Sequence, residues 1–273
     1  MFIPFGFMNT QAGGGGGDAD ATAYLSAVTT AGGSTDATID AAVDTLFVDL
    51  KAAGVYTKLI SFYPIIGGIQ ASHAINGNLN ATYDLTYSGT WTHSADGQMI
   101  AGTSSGPYAL TNYIVNTGTS AGQTKNFSMG TYVNTNTDNI ASYEVDMGAL
   151  SGNGVYRVSA GWTAGNYSSA YIGGQAAASQ NPRGGAGMYV GTRNISAVKL
   201  IFNGSTINSR TQVSEDSSVY PITLGAQYNG TTGTFSSSKR AAFAFISEYL
   251  TDAEVSDLYD AVQTCQVSLG RQA

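Results

Sequence analysis

Val198-Lys-Leu-Ile-Phe-Asn-Gly-Ser-Thr-Ile207 (VKLIFNGSTI) places a β-branched and aromatic run, Val198 to Phe202, directly before Asn203-Gly204 and a second run, Ser205 to Ile207. A two-residue connection suits a type I′ turn, whose central positions both need positive φ, and Asn followed by Gly meets that need. The stretch therefore predicts an antiparallel hairpin. The same pattern extends along the chain. From about Ile69 to Phe245, apolar or aromatic runs alternate with Asn, Gly, Ser and Thr clusters: Tyr83 to Tyr87, Tyr108 to Val115, Phe127 to Val133, Ile140 to Val145, Gly154 to Gly161, Gly187 to Val190, Ile222 to Ala226 and Ala242 to Ser247. Turn signals spaced by roughly eight to fourteen residues are those of an antiparallel β-sandwich.

Helical periodicity is confined to the flanks. Asp18 or Asp20 fits as N-cap of a helix with Ala21, Tyr24, Leu25 and Val28 on one face and Gly32 as its stop. A second helix starts near Thr35 and Asp36, presents Ile39, Val43, Leu46, Phe47 and Leu50 at helical spacing, and ends at Gly54. Val55 to Ile66 reads as a helical turn or a strand, and the domain boundary is expected at Gly67-Gly68. The clearest helix is Thr251 to Gly270. There Thr251 and Glu254 form a capping box, and Val255, Leu258, Tyr259, Val262 and Cys265 make an apolar stripe. The expected organisation is a tether at 1–17, a helical linker or collar at 18–66, and a sandwich at 67–273 with a terminal helix at 251–269.

Composition narrows the partners. Charged residues make up 11% of the chain, against 35 glycines and 17 tyrosines, a mixture of turn and strand formers that suits a loop-rich β protein. With 11 Lys and Arg and a net charge of -7, nucleic acid and anionic membrane are poor partners, because phosphates require clustered cations. No apolar run reaches the roughly 18 residues of a membrane span. Cys265, the one cysteine, lies on the helical stripe and is expected to be a small buried hydrophobe.

The N-terminus combines Phe2, Ile3, Phe5, Phe7 and Met8 with the run Gly13 to Gly17. It lacks the basic start and long apolar centre of a secretion signal. A greasy tip on a flexible tether suits a particle anchor; a Gly-rich terminus equally suits a free tail.

Two stretches carry a resemblance. AAFAFISEYLTDAEVSDLYDAV (241–262) resembles the end of laminin-G and concanavalin A-like lectin jelly rolls, where the last strand passes through a Leu-Thr-Asp-Ala-Glu cap into a helix, and VKLIFNGS (198–205) is similar to a hairpin of the same families. DADATAYLSAVTTAGG (18–33), AAVDTLFVDLKAAGVYTKLISFYPIIGG (41–68), WTHSADG (91–97) and LGRQ (269–272) resemble virion proteins of tailed bacteriophages that carry such a jelly roll. The resemblance implies a head fibre, capsid decoration or tail-associated component located in the virion, with capsid or tail proteins of the same particle as partners. A symmetric homo-oligomer, taken as a trimer, is expected as well.

Candidate chemistry is sparse. His73 and His93 stand in loop contexts without a third ligand, so capping or packing is expected of them, and no metal or cofactor. Glu144 and Asp146 alternate with Tyr143 and Val145, which predicts a solvated strand face and not the facing carboxylates of a glycosidase. Gly102 to Gly106 only superficially resembles a nucleophile elbow, Gly13 to Gly17 lacks the Lys-Ser/Thr of a phosphate loop, and Asn134 to Asn139 is oxygen-rich but holds one carboxylate, Asp138, too few for calcium. No catalytic residue emerges, and a non-enzymatic protein is expected. Trp162, Asn166, Tyr167 and Tyr171 form the candidate glycan site, since aromatic rings pack on sugar C–H faces beside a hydrogen-bonding amide. A carbohydrate-binding adhesin that recognises a bacterial surface glycan, the glycan of the host, is the alternative to the virion structural role.

Overall fold

The computed structural model describes residues 17–99, 105–115, 126–135, 143–151, 154–162, 167–174, 177–180, 185–211 and 218–272. The expected anchor residues Phe2, Ile3, Phe5, Phe7 and Met8 lie outside the described residues.

Helices form where caps and periodicity coincide. Helix α1 (Ala19–Thr30) starts at Asp18, whose carboxylate accepts the N–H groups of Asp20 and Ala21; α2 (Ala37–Ala52) starts at Asp36, which accepts from Thr38 and Ile39. Lys51 near the end of α2 pairs with Asp18 and Asp20 at 2.7 Å, joining the two helices. A short turn, α3 (Gln70–His73), follows. The terminal helix α4 (Asp252–Ser268) carries the expected Thr251/Glu254 capping box.

The remaining elements are strands. One eight-stranded sheet comprises β1 (Leu59–Tyr63), β3 (Thr92–Ser94), β4 (Gly97–Met99), β7 (Asn126–Val133), β12 (Gly187–Asn194), β13 (Ala197–Phe202), β14 (Ser205–Thr211) and β18 (Arg240–Glu248). Its order is β14-β13-β12-β7-β18-β4-β3, and β1 shares with β4 the free edge of β18. The second sheet, of ten strands, holds β2 (Thr86–Ser88), β5 (Ser105–Gly106), β6 (Tyr108–Leu110), β8 (Met147–Ser151), β9 (Gly154–Trp162), β10 (Tyr167–Ile172), β11 (Ala178–Gln180), β15 (Thr223–Leu224), β16 (Gln227–Tyr228) and β17 (Gly233–Thr234). Its main order is β11-β10-β9-β8-β15-β6-β2, with β16 and β17 attached through β8. Pairing is antiparallel except where β16 runs parallel to β8. The Asn203-Gly204 turn between β13 and β14 has φ of 47° and 74°, both positive as the dipeptide predicted.

Two cores result, one on each face of the eight-stranded sheet. Phe127, Met129, Tyr189, Leu200, Ala244 and Ile246 meet Met147, Tyr156, Val158, Ala170, Ile172 and Leu224 of the second sheet. On the opposite face Tyr132, Val190, Phe243 and Phe245 pack against α1, α2 and α4. The layers are therefore helices, sheet, sheet: a mostly β antiparallel sandwich with N-terminal helices and a C-terminal helix. Rings of Tyr24, Phe47, Phe62 and Phe243 run through the helical side with centroids 5.8, 5.4 and 6.3 Å apart. Residues 59–63, placed by the sequence ahead of the sandwich boundary, are strand β1 inside it.

Arg271 fastens the end of α4 to the eight-stranded sheet. Its side chain, 4% exposed as a residue, donates to the carbonyls of Pro64, Ile65, Ala95 and Ala242 and to Gln266 Oε1. Stretches far apart in the chain, at 64–65, 95, 242 and 271, thus meet at one guanidinium.

Because Phe47 bridges α1 and β1, Phe47→Ala should cost about 3–5 kcal/mol. Helical and aromatic circular dichroism should still melt in one coincident transition. Earlier loss of the helical signal would show that the helices do not share the sandwich's cooperative core.

Candidate functional site

The helices cover one side of the eight-stranded sheet, so the ten-stranded sheet is the sandwich's other wall. On β6, Ala109 points into the core, and pleat alternation sends Tyr108 to the opposite face. There it meets Tyr228 of β16 at 4.9 Å between ring centroids, and Tyr228 meets Tyr220 at 5.9 Å. All three tyrosines are half-buried. Partial burial and then the neighbouring Tyr108 hydroxyl raise the Tyr228 phenol above its ordinary range.

Local chemistry fixes these rings. Asn229 Oδ1 accepts the N–H groups of Thr231 and Thr232, both at 3.0 Å, and holds the turn between β16 and β17. Gly230 sits at φ 93°, and a Cβ there would run into the Tyr220 ring; at Gly233 a Cβ would lie 2.9 Å from Tyr108 Cδ1. The glycines therefore make room for the aromatic surface. Ser218 accepts the N–H of Tyr220 at 3.1 Å and its hydroxyl donates to the Tyr220 carbonyl at 2.7 Å, which sets the approach of the third ring. Tyrosine offers an apolar face with a hydrogen-bonding rim, the combination that a sugar's C–H face and hydroxyls require.

The residues expected from sequence lie elsewhere on the same sheet. Tyr167 and Tyr171 stand two positions apart twice over on β10 and so share a face; Tyr167 is 39% exposed. Tyr171 pairs in register with Arg157 of β9, whose guanidinium lies 4.0 Å from the ring centroid. Burial, opposed by Tyr171, lowers Arg157 to about 10. The backbone of Trp162 is opposite Tyr167, while Asn166 and the Trp162 side chain lie outside the described residues. From β10 to β16, the nearer strand of the tyrosine group, there are three strand steps, about 14 Å at the usual spacing, and from β10 to β6 four, so the two aromatic groups are separate patches. The Tyr108, Tyr220 and Tyr228 group was missed in the sequence, although an aromatic beside Asn229-Gly230 was its visible signal.

The expected solvated face at Glu144 and Asp146 is corrected. Both residues are 5% exposed, whereas Tyr143 is 47% exposed. Lys239 Nζ lies 2.7 Å from Glu144 Oε2 and 3.5 Å from Asp146 Oδ1, with side chains 2%, 6% and 3% exposed. A buried cation has drawn both carboxylates inward, since unpaired charges are costly there.

His73 and His93 meet with Nδ1 atoms 3.0 Å apart. Because His73 Nε2 accepts the Gly68 N–H at 3.1 Å, the neutral ring carries its proton on Nδ1 and donates to His93, whose proton then sits on Nε2. Burial first, then His93 and Arg271, pushes His73 down to about 3. The pair packs α3 against β3. Among the described residues no cluster of three metal-ligating side chains occurs. Burial likewise raises the Cys265 thiol to about 11, as befits a core residue.

No protein-family model matches the chain, and no curated protein matches its sequence. Solved structures do share its fold. Domain 4 of an extracellular arabinanase from Geobacillus stearothermophilus, in complex with arabinotriose, matches with TM-score 0.51 and 15% identity over 74% of this chain and 98% of that one. Trypanosoma rangeli sialidase in complex with sialic acid matches with TM-score 0.52 and 13% identity over 74% of this chain, which spans 33% of the sialidase. The botulinum neurotoxin serotype D binding domain matches with TM-score 0.52 and 11% identity over 76% of this chain and 52% of that one. These likenesses are likenesses of fold: a two-sheet antiparallel β-sandwich of the jelly-roll kind.

The histidine pair yields a pH test. A folded-state value of about 3, below the ordinary 6.5, means that the unfolded chain binds more protons between these limits. Stability therefore rises with pH through this window and is lost as pH falls below 6.5, by at most about 1.4 kcal/mol per unit. His73→Gln should flatten that slope in urea titrations at several pH values; an unchanged slope would show that His73 is not the titrating group.

Proposed function

We propose that the chain is a non-enzymatic carbohydrate-recognition protein that binds a glycan across the Tyr108, Tyr220 and Tyr228 rings of its ten-stranded sheet. The observation that carries this reading is three half-buried tyrosines in mutual ring contact, held by glycines whose Cβ atoms would displace them. The shared fold adds support, since the arabinanase domain and the sialidase are in complex with arabinotriose and sialic acid. A net charge of -7 disfavours polyanionic glycans and points to a neutral oligosaccharide. The non-enzymatic reading is supported by the engagement of Glu144 and Asp146 with Lys239, which removes from any cleft the carboxylate pair singled out in the sequence.

The virion structural role is the second reading, supported by the resemblance of residues 18–33, 41–68, 91–97 and 269–272 to virion proteins, of which the last three segments meet at Arg271. On that reading the protein docks on a capsid or tail through Phe2, Ile3, Phe5, Phe7 and Met8, as a symmetric oligomer, and the jelly roll is displayed outward to a host glycan.

Tyr228→Ala should weaken binding of the glycan identified on an array by about tenfold or more, about 1.4 kcal/mol, with an unchanged melting temperature. An array silent for the folded protein would refute carbohydrate recognition. Deleting residues 1–17 should leave the fold intact and abolish incorporation into particles; normal incorporation would refute the docking role.

A further inference from the structure

Lys239, Glu144 and Asp146 form a site that neither carbohydrate binding nor particle display employs. Lys239 immediately precedes β18 of the eight-stranded sheet, and Asp146 immediately precedes β8 of the ten-stranded sheet. The two meet inside the sandwich, beside a cavity walled by Trp91, Val133 and Leu224. The Asp146 carboxylate is held rigidly: Oδ1 accepts the Ser237 hydroxyl at 2.5 Å and Oδ2 accepts the Ala160 N–H at 2.6 Å. Glu144 contacts Nζ through Oε2 at 2.7 Å, while its Oε1 accepts the Ser238 hydroxyl at 2.6 Å.

We propose that Lys239 and Asp146 condense into an isopeptide bond between the two sheets, with Glu144 carrying the protons. The components of an acyl transfer are in place: an amine nucleophile, a carboxyl group whose Oδ1 lies 3.5 Å from it, a second carboxylate on the amine, and a backbone N–H on the oxygen that becomes the oxyanion. Glu144 takes a proton from the Lys239 ammonium and leaves a neutral amine. The nitrogen lone pair forms a bond to Asp146 Cγ, and the carbonyl π pair moves onto Oδ2, facing the Ala160 N–H. Two of the three ammonium protons pass by way of Glu144 to Oδ1. The Cγ–Oδ1 bond then breaks, the pair on Oδ2 re-forms the carbonyl, and water leaves. One proton stays on the amide nitrogen, the charges of ammonium and carboxylate cancel, and Glu144 ends as it began. No oxidant or external reactant is needed. The reaction neutralises the ammonium and the Asp146 carboxylate together, and Glu144 remains the one carboxylate of the site, still accepting the Ser238 hydroxyl.

The test is the intact mass of the denatured full-length chain. The bond lowers it by one water, about 18 Da, and proteolysis yields a branched peptide joining Lys239 to Asp146. Lys239→Arg retains the cation but cannot acylate, and should have its full sequence mass. Asp146→Asn keeps the shape and should lose ammonia, about 17 Da, in place of water. Glu144→Gln should leave the chain at full mass while folded. A folded wild-type chain at full sequence mass overturns the proposal, and so does a water loss that tandem mass spectrometry places elsewhere, such as an imide at Asp96-Gly97. The wild-type mass decides the matter even if a variant fails to fold.

Discussion

Strand β18 has to be buried on both faces, and the rest of the architecture follows from that constraint. Phe243 and Phe245 point toward the helices, Ala244 and Ile246 toward the second sheet, and all four are fully buried. An ordinary two-sheet sandwich leaves one face of each sheet to water and needs apolar residues only at alternate positions. Here AAFAFIS supplies apolar residues at consecutive positions, so a further layer must cover the outer face. The two N-terminal helices and α4 are that layer. A register shift between Ala241 and Phe243 interrupts the ladder, and the carbonyl of Ala242 is met by Arg271 and Gln266. The irregularity thus becomes an attachment point for the C-terminus.

Local chemistry was legible in the sequence wherever a single turn of backbone decides the outcome. Asp18, Asp36 and the Thr251/Glu254 box start their helices at the expected places. Asn203-Gly204 makes its hairpin, and Phe127 to Val133, Gly154 to Gly161 and Ala242 to Ser247 are strands. The helical segment was harder to read, because its apolar faces say that it packs without saying on what. Strand β1 remained ambiguous for a related reason: Leu59 to Tyr63 is apolar except at Ser61, and so short a run does not let periodicity separate a buried strand from a helical turn.

The site was less legible, since its contacts join residues far apart in the chain. Alternation brings Glu144 and Asp146 to one side, where both reach Lys239 Nζ, but that side is interior; the segment is not in a continuous ladder, and Val145 makes only an isolated bridge to Ser236. The partner that turns them inward, Lys239, lies on a distant segment that no local pattern connects to them. Tyr108, Tyr220 and Tyr228 likewise come from three places in the chain and converge only when β6 and β16 enter the same sheet. Tyr167 and Tyr171, by contrast, lie within one short segment of the chain and share a face of β10, so their grouping was visible in the sequence.

The fold provides two walls with different chemistry. One side is sealed by helices, of which α4 is fastened to the sheet through Arg271, and the other displays tyrosines on a sheet free of that cover. The most direct measurement of whether this second wall recognises carbohydrate is fluorine NMR of the protein labelled with 3-fluorotyrosine, titrated with neutral oligosaccharides. The account predicts saturable shifts at Tyr108, Tyr220 and Tyr228, with the signals of Tyr24 and Tyr56 on the helical side unmoved. Shifts confined to the helical side, or none with any folded sample and any sugar tested, would contradict it.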